Sequence, residues 1–221
     1  MNDAITLEKN KVSVKEVGYL FIKRLFDIIC GLLGCVLILP IAIVVKIAYV
    51  CDKDFASIFY SQIRIGKNGK KFKMYKFRSM VPNADEILFK TLEIDKVAAE
   101  EYRKNKKFKN DPRITKVGRV MRKLSIDELP QLINILKGDM SMIGNRPYLP
   151  RERDDMGEYY KDIIKTKPGL TGYWQVNGRN DVDFEERAYM DTYYIERRGI
   201  VMDLKIILKT FLKIFKKEGA V

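Results

Sequence analysis

The chain has 221 residues, room for one domain or for one domain with an attached membrane segment. Lys and Arg outnumber Asp and Glu by 42 to 29, and this excess calls for an anionic partner: nucleic acid, a phosphorylated ligand or acidic lipid headgroups. Histidine is absent, which excludes a Ser-His-Asp triad, a histidine general base and histidine-ligated zinc. The three cysteines, Cys30, Cys35 and Cys51, have neither metal-ligand nor disulfide spacing and read as small hydrophobes in a reducing compartment.

A polar segment, 1–19, leads into residues 20–50, which contain an uncharged apolar run of eighteen residues at 28–45. That run is at the lower edge of the length that spans a bilayer. A buried core helix is the alternative, but a small domain has difficulty covering a stretch with no polar face. A cleavable signal peptide is disfavoured, because about twenty mixed-charge residues precede the run and no small-residue cleavage site follows. Lys9, Lys11, Lys15, Lys23 and Arg24 precede it, and Lys46, Lys53, Arg64 and Lys67 follow, so both flanks are drawn toward the cytoplasm. Pro40 removes a backbone donor inside the run. The expectation is a re-entrant membrane helix broken at Pro40, with a tilted single span as the alternative.

Next, 59–80 reads as a β-hairpin: Ile63 and Ile65 alternate with polar neighbours, Gly66-Lys67-Asn68-Gly69 turns, and Phe72, Met74 and Lys76 continue the alternation. Residues 83–107 form a charged stretch with apolar positions at helical spacing, most simply a solvated helix, and Asn110-Asp111-Pro112 marks a turn. A helix is predicted over 126–136, with Ser125 as N-cap and Glu128 closing a capping box. Asp127 and Glu128 open it, with Arg119, Arg122 and Lys123 upstream and Arg146 downstream. Two acids in a first turn are also what a helix dipole prefers without any ligand. Residues 137–147 and 167–180 place glycines beside Arg146 and Arg179, which suits phosphate but equally suits turn-rich loops. Finally, 200–217 is a basic amphipathic helix, with Val201, Leu204, Ile207, Leu208, Phe211, Leu212 and Phe215 on one face and Lys205, Lys209, Lys213, Lys216 and Lys217 opposite. A surface helix capping the core would show the same pattern.

The ordered set of motifs resembles the bacterial sugar transferase family, the monotopic polyprenyl-phosphate sugar-1-phosphate transferases. The elements are Lys23-Arg24-Leu25-Phe26-Asp27 before a Pro-broken apolar run, Tyr75-Lys76-Phe77-Arg78-Ser79-Met80, Asp127-Glu128-Leu129-Pro130-Gln131-Leu132, Lys137-Gly138-Asp139-Met140-Ser141, Arg146-Pro147, and Gln175-Val176-Asn177-Gly178-Arg179-Asn180. Each alone is weak; six in order, from Lys23 to the C-terminus, are specific. The resemblance implies a small catalytic form, α+β and mostly helical. It comprises a re-entrant membrane helix, a small β-hairpin and interfacial amphipathic helices around a compact cytoplasmic catalytic domain over 51–221.

It further implies transfer of a sugar-1-phosphate from a UDP-sugar to undecaprenyl (polyprenyl) phosphate, with release of UMP and with Mg²⁺ required. This is the first membrane step of exopolysaccharide, capsule, O-antigen or glycoconjugate synthesis. Asp127 matches the attacking carboxylate and Glu128 its partner in metal or proton handling. Arg122 and Arg146 match phosphate-contacting positions, and Asp203 an acidic position associated with the site. Gln175, Asn177 and Arg179 fall in the nucleotide loop. Lys76 and Arg78 are further candidates, although lysines on a hairpin's solvent face need no ligand. The implied setting is the cytoplasmic face of the bacterial inner membrane, on acidic lipids, with no nucleic-acid partner and with room for an oligomer. The physical chemistry agrees: carboxylates accept phosphoryl groups, and diphosphate cleavage needs charge neutralisation, which Mg²⁺ and arginine supply.

Two departures stand out. Asn145-Arg146-Pro147 replaces Pro-Arg-Pro, which loosens that loop, and Leu39 replaces a serine before the membrane proline. The competing readings are a membrane-tethered nucleic-acid-binding protein, for which no recognition motif is present, and a non-enzymatic scaffold for acidic lipids. The sequence leaves the sugar open.

Overall fold

The fold is described from a computed structural model covering residues 14–178 and 182–215. Helix α1, Val14–Cys51, begins within the polar segment and is a single element of 38 residues with Pro40 inside it. The expected break at Pro40 therefore does not interrupt the helix. One face of the helix is buried through Tyr19, Asp27, Gly31, Ile38, Ala42, Val45 and Tyr49, a stripe at three- and four-residue steps and their multiples. Ile38 and Ala42, on either side of the proline, join the same core cluster, so packing holds both arms against one body. The other face is bare: its most apolar eighteen-residue window has a mean hydropathy of 3.0 and is only 22% buried.

Polar anchors fix α1 near its start. Lys23 Nζ donates to Asp203 at 2.6 Å and to the Tyr194 hydroxyl at 3.2 Å. Arg24 donates to the carbonyls of Ile135 and Leu136 at 2.6 and 2.8 Å. Asp27 accepts from Ser141 Oγ at 3.0 Å and from the Met142 amide at 2.7 Å. The Lys-Arg-Leu-Phe-Asp motif is thus a docking motif. At the far end the Tyr49 hydroxyl donates to the Arg78 carbonyl.

Strands β1, Phe59–Ile65, and β2, Lys71–Phe77, form the expected antiparallel hairpin, pairing Arg64 with Phe72, Gln62 with Met74 and Tyr60 with Lys76. Asn68 and Gly69 take positive φ in the turn. The charged stretch makes two helices, α2, Ala84–Ile94, and α3, Lys96–Asn105, where the sequence predicted one. Asp95 divides them because its carboxylate accepts from the Val97 and Ala98 amides, capping α3. Helix α4, Lys116–Lys123, starts at Thr115, whose hydroxyl accepts from the Gly118 amide.

The helix expected over 126–136 begins late. Ile126–Glu128 is a 3₁₀ turn entered through Ser125 at φ 56°, and Ser125 makes no side-chain cap. The capping box is absent because the two amides it would use bond carbonyls, Ser125 N–H to Arg122 O at 3.0 Å and Glu128 N–H to Ser125 O at 3.4 Å. The α-helix is delayed because Pro130 has no N–H to return to Ile126, and Leu129 bonds Ile126 instead, at 3.1 Å. Helix α5, Gln131–Lys137, follows.

The two glycine-rich segments pair with each other. Strand β3, Ser141–Ile143, lies parallel to β4, Gly169–Thr171, with helix α6, Tyr160–Ile163, between them in sequence. A Cβ on Gly144 would sit 2.5 Å from the Lys167 carbonyl oxygen and 2.6 Å from the Gly169 amide, so this glycine serves backbone packing. Helices α7, Tyr173–Asn177, α8, Phe184–Arg197, and α9, Ile200–Phe215, complete the fold. Helix α9 docks through buried Asp203 and Ile206 and leaves Val201, Leu204, Leu208, Phe211 and Leu212 exposed. The Phe215 side chain, Lys216 and Lys217 lie outside the described residues.

Candidate active site

The hairpin's two-residue period places Met74 and Lys76 on one face with Arg64, the cross-strand partner of Phe72. All three line a cavity of about 720 Å³ whose other walls come from α1, the 126–128 turn, β4, α7 and α9. Seven Lys or Arg side chains and only two carboxylates, Asp127 and Glu128, line it among the described residues. Such an imbalance suits a ligand with more than one phosphate. Its apolar side includes Phe26 and Cys30 of α1 and Ile207 and Phe211 of α9.

The αL residue Ser125 and the tight 3₁₀ turn swing Asp127 inward until it is 6% exposed. Lys76 Nζ lies 3.0 Å from Glu128 Oε1 and 4.0 Å from Asp127 Oδ2. Burial pushes the Asp127 carboxyl above the usual carboxylate range; Lys76 pulls it down and Glu128 adds to the rise. Adjacent hard oxygen donors, one desolvated with no cation closer than 4.0 Å among the described residues, fit Mg²⁺, which is held by one or two carboxylates together with substrate phosphate and water. No cluster of three or more candidate metal ligands occurs among the described residues, so these alone offer no closed cage.

Arg122 donates through Nε to Ser79 Oγ at 2.9 Å and lines the cavity. Arg146 also lines it, with its amide held by Asp191 Oδ2 at 3.0 Å and its guanidinium 3.8 Å from Glu152 Oε1. Gln175 lines it too, and its amide donates to the Leu170 carbonyl at 3.1 Å. Three expected site residues lie elsewhere. Arg78 is spent on Ser57 O, Met80 O and Asp54 Oδ1, at 2.7, 3.1 and 2.9 Å, and stacks over the Tyr49 ring. Asn177 accepts from Lys209 at 2.6 Å outside the cavity. Asp203 binds Tyr19, Lys23 and Tyr194 as a latch for α1. Arg179 lies outside the described residues.

The sequence reading missed Arg64 and Arg187. Arg187 is 2% exposed, yet it sits in a helix whose charged neighbours hide it. Arg64 was counted only as a membrane-flanking charge, although its register opposite Phe72 was readable once the hairpin was drawn.

Residues 18–217 match the bacterial sugar transferase family. The undecaprenyl-phosphate galactose phosphotransferase of Salmonella typhimurium is 44% identical over 203 residues, covering 90% of this chain and 42% of that protein. The exopolysaccharide production protein ExoY of Sinorhizobium fredii is 41% identical over 201 residues, covering 90% and 87%. The UDP-glucose:undecaprenyl-phosphate glucose-1-phosphate transferase of Escherichia coli is 36% identical over 211 residues, covering 90% and 41%. The chain thus spans under half the length of the first and third, and most of the second. Neither the nucleic-acid-binding nor the scaffold alternative finds support among these relatives.

Proposed function

The chain belongs to the bacterial sugar transferase family, and from that premise we propose that it transfers a sugar-1-phosphate from a UDP-sugar to a polyprenyl phosphate, releasing UMP. The observation that carries this is the buried Asp127 carboxylate beside Glu128 and Lys76, in a cavity walled by cations on one side and by α1 and α9 on the other.

In this reading an Asp127 carboxylate oxygen attacks the sugar-bearing phosphorus. A bond forms between that oxygen and phosphorus, and the bridging P–O bond breaks, its electron pair leaving on the UMP phosphate. A lipid phosphate oxygen then attacks the same phosphorus, and the Asp127 bond breaks to restore the carboxylate. The lipid phosphate is ionised near neutral pH, so a chain without histidine needs no strong base. Lys76 holds Glu128 and balances charge beside the nucleophile, while Arg122 and Arg146 neutralise the oxygens that gain charge. Mg²⁺ bound by Asp127 and Glu128 would supply further charge neutralisation on the diphosphate.

The bare faces of α1 and α9 are exposed apolar surface of the kind that seats on a membrane. Both ends of α1 contact the same globular body, through Tyr19 and Lys23 at one end and Tyr49 at the other. This favours a re-entrant, monotopic seat on the cytoplasmic face, with acidic lipids meeting the exposed lysines, over a single span. The activity is tested by incubating the protein with a panel of UDP-sugars, Mg²⁺ and undecaprenyl phosphate. UMP release that requires the lipid and is abolished in Asp127→Asn supports the reading; release unchanged in Asp127→Asn refutes it.

A further inference from the structure

Arg64, Arg146, Arg187 and the indole of Trp174 all line the cavity. The Arg146 and Arg187 guanidinium carbons lie 5.7 and 5.4 Å from the Trp174 ring centroid. Each of the other two arginines feels Arg146 as a like charge, and burial with that repulsion lowers Arg187 and brings Arg64 down to about 10. The carboxylate beside Arg146 is Glu152, 3.8 Å away, and its other oxygen already accepts from the Leu149 amide. Among the described residues Glu152 is the only carboxylate within 4.0 Å of any of the three guanidiniums, while Asp183 and Asp191 act on Arg187 and Arg146 from farther off. Positive charge is thus left without a close partner, a costly arrangement without a ligand.

The hydrogen bonding points the same way. Arg64 is fixed through its terminal nitrogens to Pro147 O at 2.8 Å and Gln62 Oε1 at 2.6 Å. Arg187 is fixed likewise to Asn105 O at 3.2 Å and Val182 O at 3.0 Å. The Nε atoms of all three arginines and the Trp174 indole nitrogen are buried with no partner. Trp174 is 9% exposed and Arg187 2%, so water does not serve them freely. Four unpaired donors in side chains that line one cavity, against one unpaired acceptor, Asp191 Oδ1, suit an acceptor-rich ligand.

We infer that Arg64, Arg187 and Trp174, with Arg146, form a second phosphate subsite that holds the phosphate leaving with the nucleoside. It is separate from the dyad, where Lys76 and Arg122 attend the phosphate being transferred. The cluster hangs from β1, α7, α8 and the 146–147 turn, whereas the apolar wall suited to a lipid comes from α1 and α9. This identity rests on the proposed reaction, but binding needs no turnover, so failure of one is visible apart from failure of the other.

The chain has a single tryptophan, so Trp174 fluorescence reports on the subsite directly. The chain of 221 residues is titrated with UMP and with uridine, which lacks the phosphate. UMP should perturb the emission saturably and bind more tightly than uridine. Arg187→Gln and Arg64→Gln should each narrow the UMP-to-uridine affinity ratio by roughly 10-fold or more, the loss of a charge-assisted contact. If either variant unfolds, Trp174→Phe, which keeps a ring and loses the N–H, is tested by calorimetric titration and should narrow the ratio too. Ratios as in the wild type overturn the subsite. So does wild-type protein that fails to bind UMP, or displacement of UMP by a short-chain prenyl phosphate lacking any nucleotide.

Discussion

Arg122 and Arg146 line the same cavity as the dyad with different supports, one leaning on Ser79 and the other on a backbone bond to Asp191. If both stabilise charge that develops during transfer, Arg122→Ala and Arg146→Ala each slow turnover by about 100-fold or more. Lysine replacements recover only part of this, because a point charge cannot reproduce the guanidinium fork. Steady-state UMP release by folded variants checks this, and near-wild-type rates would remove the residue concerned from the site. Asp191 supplies a second test. Its carboxyl is wholly buried, and burial pushes it up to about 7, whereas an unfolded aspartate titrates near 4. Between those values the folded protein holds a proton that the unfolded chain has released. The contribution therefore favours folding at the acid end of that window and is lost as pH rises through about 7. Asp191→Asn still accepts from Tyr148 and the Arg146 amide without titrating. Its melting temperature should fall less than the wild type's between about pH 5 and 8; parallel profiles would show that Asp191 does not titrate there. No sequence pattern announced this residue, since its burial depends on Tyr148 and a loop 45 positions away.

Helices and strands were legible where a periodic pattern had no competitor. The hairpin at β1 and β2 and the basic amphipathic α9 follow from alternation and from a helical stripe. The helix at the dyad did not, because the apolar spacing over 126–136 ignores the amide that Pro130 lacks. The β3–β4 pair was hidden because three-residue strands carry too little alternation, and their glycines also suit a phosphate loop. Gly144 separates those two meanings. If it serves backbone packing, Gly144→Ala forces β3 from β4 and costs about 1–3 kcal/mol or more in denaturant unfolding; unchanged stability with weakened UMP binding would favour a ligand-facing role. Pro40 presents the corresponding question in α1. Restoring its amide and removing its ring favour a straighter helix. Pro40→Ala should therefore move a fraction of molecules to a spanning topology in a cysteine-accessibility assay. An unchanged pattern would mean that the docking contacts of Tyr19, Lys23 and Tyr49 alone hold both arms on one side.

The whole molecule unites an apolar seat with a cationic cavity, and that union is what a reaction between a water-soluble nucleotide and a lipid phosphate requires. The six ordered motifs pointed to this reaction, but the structure divides them by task. Lys23, Arg24 and Asp27 dock α1, Arg78 and Asp203 brace the body, and Lys76, Asp127, Glu128 and Arg146 line the cavity. The central claim is that Asp127 carries the sugar phosphate between donor and lipid. Its most direct test is rapid quench of the wild-type protein with Mg²⁺ and a UDP-sugar labelled in the sugar phosphate, with no lipid acceptor present. The account predicts one equivalent of UMP per active protein and label recovered on Asp127, both lost in Asp127→Asn. Release of UMP strictly dependent on lipid, with no label on Asp127 at any quench time, would contradict it.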